Sequence, residues 1–164
     1  MGVLCRTWLE RCSVMSSETP IHSTTVVESQ PSGLREPCKR LLSLLEEKGF
    51  SQDDIFAVHL ALEEAFLNAI KHGNKMDTSK KVTLDYLVDD ERVEIIMKDE
   101  GEGFNPQSIP DPRMGENLYR PEGRGLLLMN AYMDVVEHNA QGNSVHMIRY
   151  KNRPASGHRG MGAV

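Results

Sequence analysis

Two apolar segments separated by three residues constrain the fold of this chain more than any other feature. The segment KVTLDYLV (81–88) and the segment RVEIIMK (92–98) are joined by Asp-Asp-Glu. Their β-branched and aromatic residues are typical of strands. A connection this short makes a tight hairpin, because parallel neighbours need a crossover of about a dozen residues or more. We therefore expect an antiparallel sheet built around residues 81–98.

Two helices are predicted ahead of this hairpin. Residues 32–50 form the first, which Gly49 is placed to end. Ser51 and Asp54 match a capping box at the start of the second helix, which continues to Gly73. Apolar residues keep helical spacing along this second helix, at Ile55, Val58, Leu62, Ala65, Phe66, Ala69 and Ile70. That side of the helix is expected to face the core.

The remaining elements complete a two-layer fold. A first strand is predicted at 21–30, a short helix at 126–133, and two final strands at 134–139 and 144–151. The order β-α-α-β-β-loop-α-β-β predicts an α/β (α+β) two-layer sandwich, with helices packed on one face of a mixed, mostly antiparallel sheet. The Pro- and Gly-rich stretch 101–125 is long for a loop inside a domain, which indicates a functional segment.

Composition and charge limit the classes of function. The chain has 164 residues, 39% hydrophobic and 26% charged, which suits one soluble globular domain. A net charge of -5 argues against a nucleic-acid-binding surface. No apolar run has the length of a signal peptide or a membrane span. The three cysteines show no metal-binding spacing, so reduced thiols and a cytoplasmic location are expected.

The ends of the chain are expected to lie outside the domain. Residues 1–20 are predicted to be a disordered extension, residues 21–151 the folded domain, and residues 152–164 a disordered, Gly-rich tail. The start of translation is left open between Met1 and Met15.

Glu64 and Asn68 form the first of three polar motifs that are candidates for chemistry. They are four residues apart, so they project from the same face of the second predicted helix. A carboxylate and an amide there can bind a hard cation such as magnesium or orient a water molecule. The alternative is an ordinary amphipathic helix with a solvated polar side.

The other two motifs follow predicted strand and loop segments. Asp99 ends a strand and is followed by Gly101 and Gly103, which would let a flat ring or a phosphate approach the backbone. Glycines at 123 and 125 precede a helix, an arrangement that suits phosphate binding. The alternatives are a plain turn and a flexible loop.

In their order, the three motifs resemble the N, G1 and G2 boxes of the GHKL ATPase superfamily. The matching segments are Glu64-x3-Asn68, DEGEGF (99–104) and GRGL (123–126), and the resemblance runs through about residues 22–151. The segment LALEEAFLNAIKHGN looks most like the bacterial anti-sigma-factor serine kinases. The resemblance implies a Bergerat-type ATP-binding fold with ATP and Mg²⁺ as cofactors.

The resemblance also implies a role for each motif residue. Glu64 would be the catalytic general base, Asn68 the Mg²⁺ ligand, and Asp99 the acceptor for the adenine amine. Residues 104–122 would form the ATP lid, and His72 and Asn74 fit the variable end of the first box. The remaining implied nucleotide-binding residues are Gly101 and Gly103 beneath the nucleotide, Gly123, Arg124 and Gly125 at the phosphates, Leu126 next to them in the chain, and Ser144 near the adenine.

The implied function is that of a serine/threonine protein kinase in transcription regulation. It would phosphorylate a small STAS-type anti-sigma-factor antagonist and sequester a sigma factor, without contacting nucleic acid or membrane, and a homodimer is possible in the family. The first alternative is an ATP-binding regulatory module that switches a partner through lid ordering, without significant kinase activity. A histidine-kinase-like domain acting on a partner's histidine and a scaffold that binds no nucleotide also stay open.

Overall fold

The computed structural model describes residues 19–103 and 124–152. The strands in this part are β1 (Ile21–Glu28), β2 (Lys81–Val88), β3 (Arg92–Asp99), β4 (Val135–His138) and β5 (Ser144–Tyr150). The α-helices are α1 (Arg35–Glu47), α2 (Gln52–Asn68) and α3 (Arg124–Tyr132). The predicted lid and almost all of the two predicted disordered ends lie outside the described residues. None of the described helices is both long and apolar enough to cross a membrane.

The strands form one five-stranded sheet in the order β1-β2-β3-β5-β4, and every neighbouring pair is antiparallel. The predicted hairpin is present, with Leu84 opposite Met97. Asp89 forms its turn, because one carboxylate oxygen accepts the backbone N–H groups of Glu91 and Arg92, each at 2.8 Å. The sequence predicts a mostly antiparallel sheet, and all four strand pairs among the described residues are antiparallel.

The core lies between one face of the sheet and the helices. Side chains alternate between the two faces of each strand. On β3 the alternation leaves Ile95 and Met97 buried, while Ile96 and Lys98 are exposed on the opposite face. The fully buried core positions come from both layers, among them Leu41, Leu45, Val58, Leu62, Ile70, Val82, Leu84, Val88 and Val93. This arrangement confirms the predicted two-layer α+β sandwich.

Local signals set the end of α1 and the start of α2. Gly49 adopts a left-handed conformation (φ +72°) just past α1, as a helix-ending glycine should. The predicted capping box is present, with Asp54 N–H donating to Ser51 Oγ at 3.1 Å and Ser51 N–H donating to the Asp54 carboxylate at 3.3 Å.

Two helix segments differ from the expectation of regular α-helix. The first helix starts as a 3₁₀ turn at Pro31–Leu34, where a Cβ on Gly33 would lie only 2.6 Å from the Glu28 carbonyl oxygen. The second helix widens after Asn68 into a π-helix at Ala69–Gly73. Short π segments occur frequently at functional sites.

A buried ion pair ties the start of α2 to the sheet. The guanidinium of Arg149 on β5 contacts Asp54 Oδ1 through Nε at 2.9 Å and Nη2 at 2.7 Å. The other oxygen of Asp54 accepts Ser51 Oγ–H at 2.7 Å and the backbone N–H of Asn152 at 2.9 Å. Both charges are buried, so each depends on the other for compensation.

We expect Asp54 to make the fold sensitive to acid. Burial alone would raise the pKa of Asp54, but hydrogen bonds from Ser51, Asn152 and Arg149 outweigh it and bring the pKa below the ordinary value of 3.8. A lowered folded-state pKa contributes stability that is complete above the unfolded pKa and is lost as the pH falls below it. The free energy of unfolding, measured with urea, should therefore drop below about pH 4.

In the Asp54→Asn variant, the free energy of unfolding should decrease much less at acid pH than it does in wild type. The matched control is Asp53→Asn, which removes an exposed carboxylate one residue away and should leave the acid profile unchanged. Equal acid sensitivity of Asp54→Asn and wild type would contradict the assignment to Asp54.

Candidate functional site

The first and third motifs meet where α2 and α3 touch. Glu64 and Asn68 lie one turn apart near the end of α2, and both side chains are half-buried. Gly125, in the first turn of α3, is so close that a Cβ there would overlap the Glu64 carboxylate and lie 3.4 Å from Asn68 Nδ2. The tertiary fold therefore brings a carboxylate, an amide and a helix N-terminus together.

The second motif places a buried carboxylate at the end of β3. Asp99 is 8% exposed, and its Oδ1 accepts the backbone N–H of Gly101 at 2.8 Å. Burial raises the pKa of Asp99, although the Gly101 hydrogen bond and the Lys80 charge act in the opposite direction. A carboxylate held this way is stabilised by any further hydrogen-bond donor that reaches it.

Gly73, which the sequence predicts only as a helix end, lies directly against the carboxylate of the second motif. The π-helix carries it against Asp99, and a Cβ at this position would overlap the Asp99 carboxyl group. A Cβ on Gly101 would in turn overlap the carbonyl group of Gly73. The signal in the sequence was a glycine closely following the Glu64/Asn68 motif, but its contact with Asp99 depends on a π-helix that no local pattern predicted.

Asn74 holds the strand ends around Asp99. Its side chain is fully buried and donates to Ser29 Oγ at 3.1 Å and to the Lys81 carbonyl at 3.0 Å. Its Oδ1 accepts the backbone N–H of Glu100 at 2.9 Å. One amide thus joins the ends of β1, β2 and β3 to the end of the π-helix. His72 is exposed in the same segment.

The motif glycines are required by the packing of the protein backbone. Gly103 has φ +82°, and a Cβ on it would overlap the carbonyl oxygen of Gln141. Gly101 packs against Gly73 in the same way. Gly101 thus lets two chain segments approach closely beside Asp99, and Gly103 does so beside Gln141. The predicted place of both glycines beneath a nucleotide stays a prediction.

Ser144 lies on the other face of the sheet from Asp99. Its partner in the register is Lys98, whose side chain is exposed on the helix-free face. The residue opposite Asp99 is Asn143, whose carbonyl accepts the Asp99 N–H at 3.0 Å. The Asn143 side chain is buried and accepts a hydrogen bond from Asn139 Nδ2 at 2.8 Å. The predicted place of Ser144 near the adenine stays a prediction.

The rest of the third motif is partly described. Gly123 lies outside the described residues, and Arg124 begins α3. The helix starts two residues before the predicted 126, so Gly125 and Leu126 belong to its first turn, and Leu126 packs against the core. The N–H groups of this turn are the ones that lack partners in an α-helix, which is the basis of anion binding at helix N-termini.

The donor set fits a magnesium nucleotide better than a metal held by protein alone. Within residues 19–103 and 124–152, no group of three or more His, Cys, Asp or Glu side chains forms a metal site. Mg²⁺ is usually held by one or two protein oxygens together with water and substrate phosphates. Glu64 and Asn68 can offer such oxygens, and the absence of a Cβ on Gly125 makes room for the Glu64 carboxylate beside the start of α3.

Comparison with known proteins supports this interpretation of the fold. Residues 27–149 match the model of the histidine kinase-like ATPase domain. The serine-protein kinase RsbW of Bacillus licheniformis is 34% identical over 123 residues, which cover 69% of this chain and 75% of that protein. RsbW of Bacillus subtilis strain 168 is 32% identical over 119 residues, covering 68% and 74%.

A solved structure agrees at the level of fold. The crystal structure of the RsbU and RsbW domains of a Mycobacterium tuberculosis protein superposes with a TM-score of 0.55 at 21% identity, covering 84% of this chain and 34% of that one. The superfamily predicted from the three motifs is confirmed. With 123 consecutive residues matched and the three motifs in order, this chain belongs to the histidine kinase-like ATPase domain family.

Proposed function

We propose that this protein is an ATP-dependent serine/threonine protein kinase that phosphorylates a small regulatory partner in the cytoplasm. The observation that carries the proposal is the contact of Gly125 with Glu64 and Asn68. It brings a carboxylate, an amide and a helix N-terminus together, which favours the roles of proton acceptor, cation ligand and phosphate-binding group for them. Relatives at 34% and 32% identity are named serine-protein kinases, which favours a serine as the acceptor.

Phosphoryl transfer depends mainly on positioning and on neutralising charge. The Glu64 carboxylate would accept the proton of the attacking serine hydroxyl, for which it must come within about 3 Å of that oxygen. The Asn68 amide oxygen would hold Mg²⁺, and the N–H groups at the start of α3 would orient the phosphates. Mg²⁺, when bound, would neutralise the phosphate charge.

Adenine recognition is assigned to Asp99. A buried carboxylate at a strand end accepts hydrogen bonds strongly, and the exocyclic amine of adenine is a donor of the right kind. Gly73 and Gly101 lie against this carboxylate without side chains of their own. Guanine has a carbonyl in place of that amine, so the arrangement favours ATP over GTP.

The partner is proposed to be a STAS-type anti-sigma-factor antagonist, as the family resemblance implies, and the kinase would hold a sigma factor in alternation with it. A phosphoserine brings about two negative charges to an interface. This chain already carries a net charge of -5, so the phosphorylated partner would be repelled. Homodimer formation is part of the same proposal.

We expect the Glu64→Gln variant to bind MgATP within about threefold of wild type while transferring phosphate about 10²- to 10⁴-fold more slowly, because it lacks the general base. Binding is measured by calorimetry, and transfer by labelled phosphate on a purified STAS-type antagonist. Glu63→Gln, an exposed neighbour, is the matched control and should behave as wild type. Asn68→Ala should lose the Mg²⁺ dependence of binding.

Three outcomes would overturn this assignment. If Glu64→Gln transferred phosphate at the wild-type rate, Glu64 would have no part in the reaction. ATP-dependent partner switching without transfer by the wild-type chain would favour the regulatory module. Acid-labile phosphate on the partner would indicate a histidine acceptor.

A further inference from the structure

Arg149 joins the far ends of the two helices that form the candidate site. It lies on β5, is 1% exposed, and faces the helices, as shown by its register partner Val93 in the core. Its Nη1 donates to the carbonyl of Tyr132, the last residue of α3, at 3.2 Å and lies 3.8 Å from Asp134 Oδ2. One side of the guanidinium therefore holds the end of α3.

The other side of the same guanidinium holds the start of α2. Its Nε and Nη2 contact Asp54 Oδ1 at 2.9 Å and 2.7 Å. Asp54 is itself fixed by Ser51 and by the backbone N–H of Asn152. The planar fork of arginine suits such divided bonding, which a single ammonium cannot reproduce.

The helices touch again at their other ends, where Gly125 meets Glu64. At about 1.5 Å of rise per residue, Glu64 lies about 15 Å along α2 from Asp54, and Gly125 about 10 Å along α3 from Tyr132. The two helices therefore run antiparallel, with the site at one end of their contact and Arg149 at the other.

The length of α3 makes its position dependent on such contacts. It has nine residues, and isolated helices of this length are marginal in water. Its placement is therefore set by what holds it, and Arg149 binds its C-terminal carbonyl. A shift of that end moves the first turn relative to α2.

We propose that Arg149 is a positioning residue for phosphoryl transfer. It clamps the end of α3 to the first turn of α2 and so sets the contact between Gly125 and Glu64. This proposal rests on the proposed kinase function. Adenine recognition is independent of the clamp, because Asp99 belongs to β3 and is supported by Gly73 and Asn74. Arg149 thus affects the position of the phosphates and the rate of phosphoryl transfer, but not the recognition of adenine.

The test compares Arg149→Lys with Arg92→Lys. Arg92 is the matched control, since it lies on neighbouring β3 and pairs with Glu94 at 2.6 Å on the opposite face of the sheet. Amide hydrogen exchange is measured over 124–132 and over β2 and β3, together with affinities for ATP and adenosine. Phosphate transfer to a STAS-type antagonist is measured in parallel.

For Arg149→Lys we expect faster exchange in α3 and unchanged protection in β2 and β3. We also expect a lower ratio of ATP to adenosine affinity, and transfer slower by about 10- to 100-fold, the scale of a small misplacement. Arg92→Lys should match wild type in every readout. If Arg149→Lys folds poorly, the double variant Asp54→Asn/Arg149→Met is used, because it removes both charges of the buried ion pair. It should show the same faster amide exchange in α3 with unchanged protection in β2 and β3.

The proposal is overturned if the protection of amides from exchange falls equally in α3 and in the sheet, because Arg149 would then have a purely structural role. It is also overturned if amide exchange in α3 and the ratio of ATP to adenosine affinity both stay at wild-type values. Absence of transfer by the wild-type chain would instead count against the kinase function, because exchange and the affinity ratio need no acceptor protein.

Discussion

The Asp99→Asn variant is expected to lose ATP affinity by about 100-fold or more without losing stability. Asparagine keeps an oxygen that can accept the Gly101 N–H, which Asp99 now bonds at 2.8 Å. Its NH₂ group, however, presents donors where the adenine amine is itself a donor. Losing a charged hydrogen bond and leaving a buried donor without a partner costs about 3 kcal/mol or more in total, which corresponds to that loss of affinity.

The stability of the ligand-free protein should move in the opposite direction. The pKa of Asp99 is raised above 3.8 by burial, so the folded state binds this proton more tightly than the unfolded state. Stability therefore falls as the pH rises from the unfolded to the folded pKa, and the penalty is complete above the folded pKa. Asp99→Asn removes that penalty, so its unfolding free energy at neutral pH should equal or exceed that of wild type.

Calorimetry with MgATP and urea unfolding at pH 4 and pH 7 measure the two effects. Glu100→Gln removes the same charge from the next residue, which is exposed, and should bind ATP as wild type does. Wild-type affinity of Asp99→Asn would take Asp99 out of the site. A marked loss of its stability would show that the carboxylate mainly supports the fold.

The Gly125→Ala variant is expected to fold normally and to lose phosphate transfer by about 100-fold or more. Alanine in a helix is favoured over glycine by about 0.5–1 kcal/mol, so the substitution by itself should stabilise α3. The new Cβ overlaps the Glu64 carboxylate, which is the mobile end of a long side chain and can turn away. The fold tolerates that rotation, but the proposed general base leaves its position, and a displacement of about 1 Å can cost about 100-fold in rate.

The pair Gly125 and Glu64 allows a sharp control. If alanine acts by moving the Glu64 carboxylate, the double variant Gly125→Ala/Glu64→Gln should transfer phosphate no more slowly than Glu64→Gln alone. Thermal unfolding checks that each variant is folded. Normal transfer by folded Gly125→Ala would mean that the contact between α3 and Glu64 has no part in the reaction.

Local patterns in the chain were enough to predict most elements and the order of the motifs. The β2–β3 hairpin follows from two alternating segments and a turn held by Asp89. The α1–α2 boundary follows from Gly49, Ser51 and Asp54. These features involve residues within a few positions of each other, and such short-range interactions can be recognised without knowing the rest of the fold.

The contacts that build the site are of a different kind, because they join residues far apart in the chain. Three such contacts depend on packing between elements: the close approach of Gly125 to Glu64, that of Gly73 to Asp99, and the ion pair of Arg149 with Asp54. The pairing of Ser144 with Lys98 depends on strand register, since a shift of one residue exchanges the two faces of a sheet. Sequence patterns therefore gave the family and the candidate residues, while the packing of helices against the sheet selected which side chains meet and in what geometry.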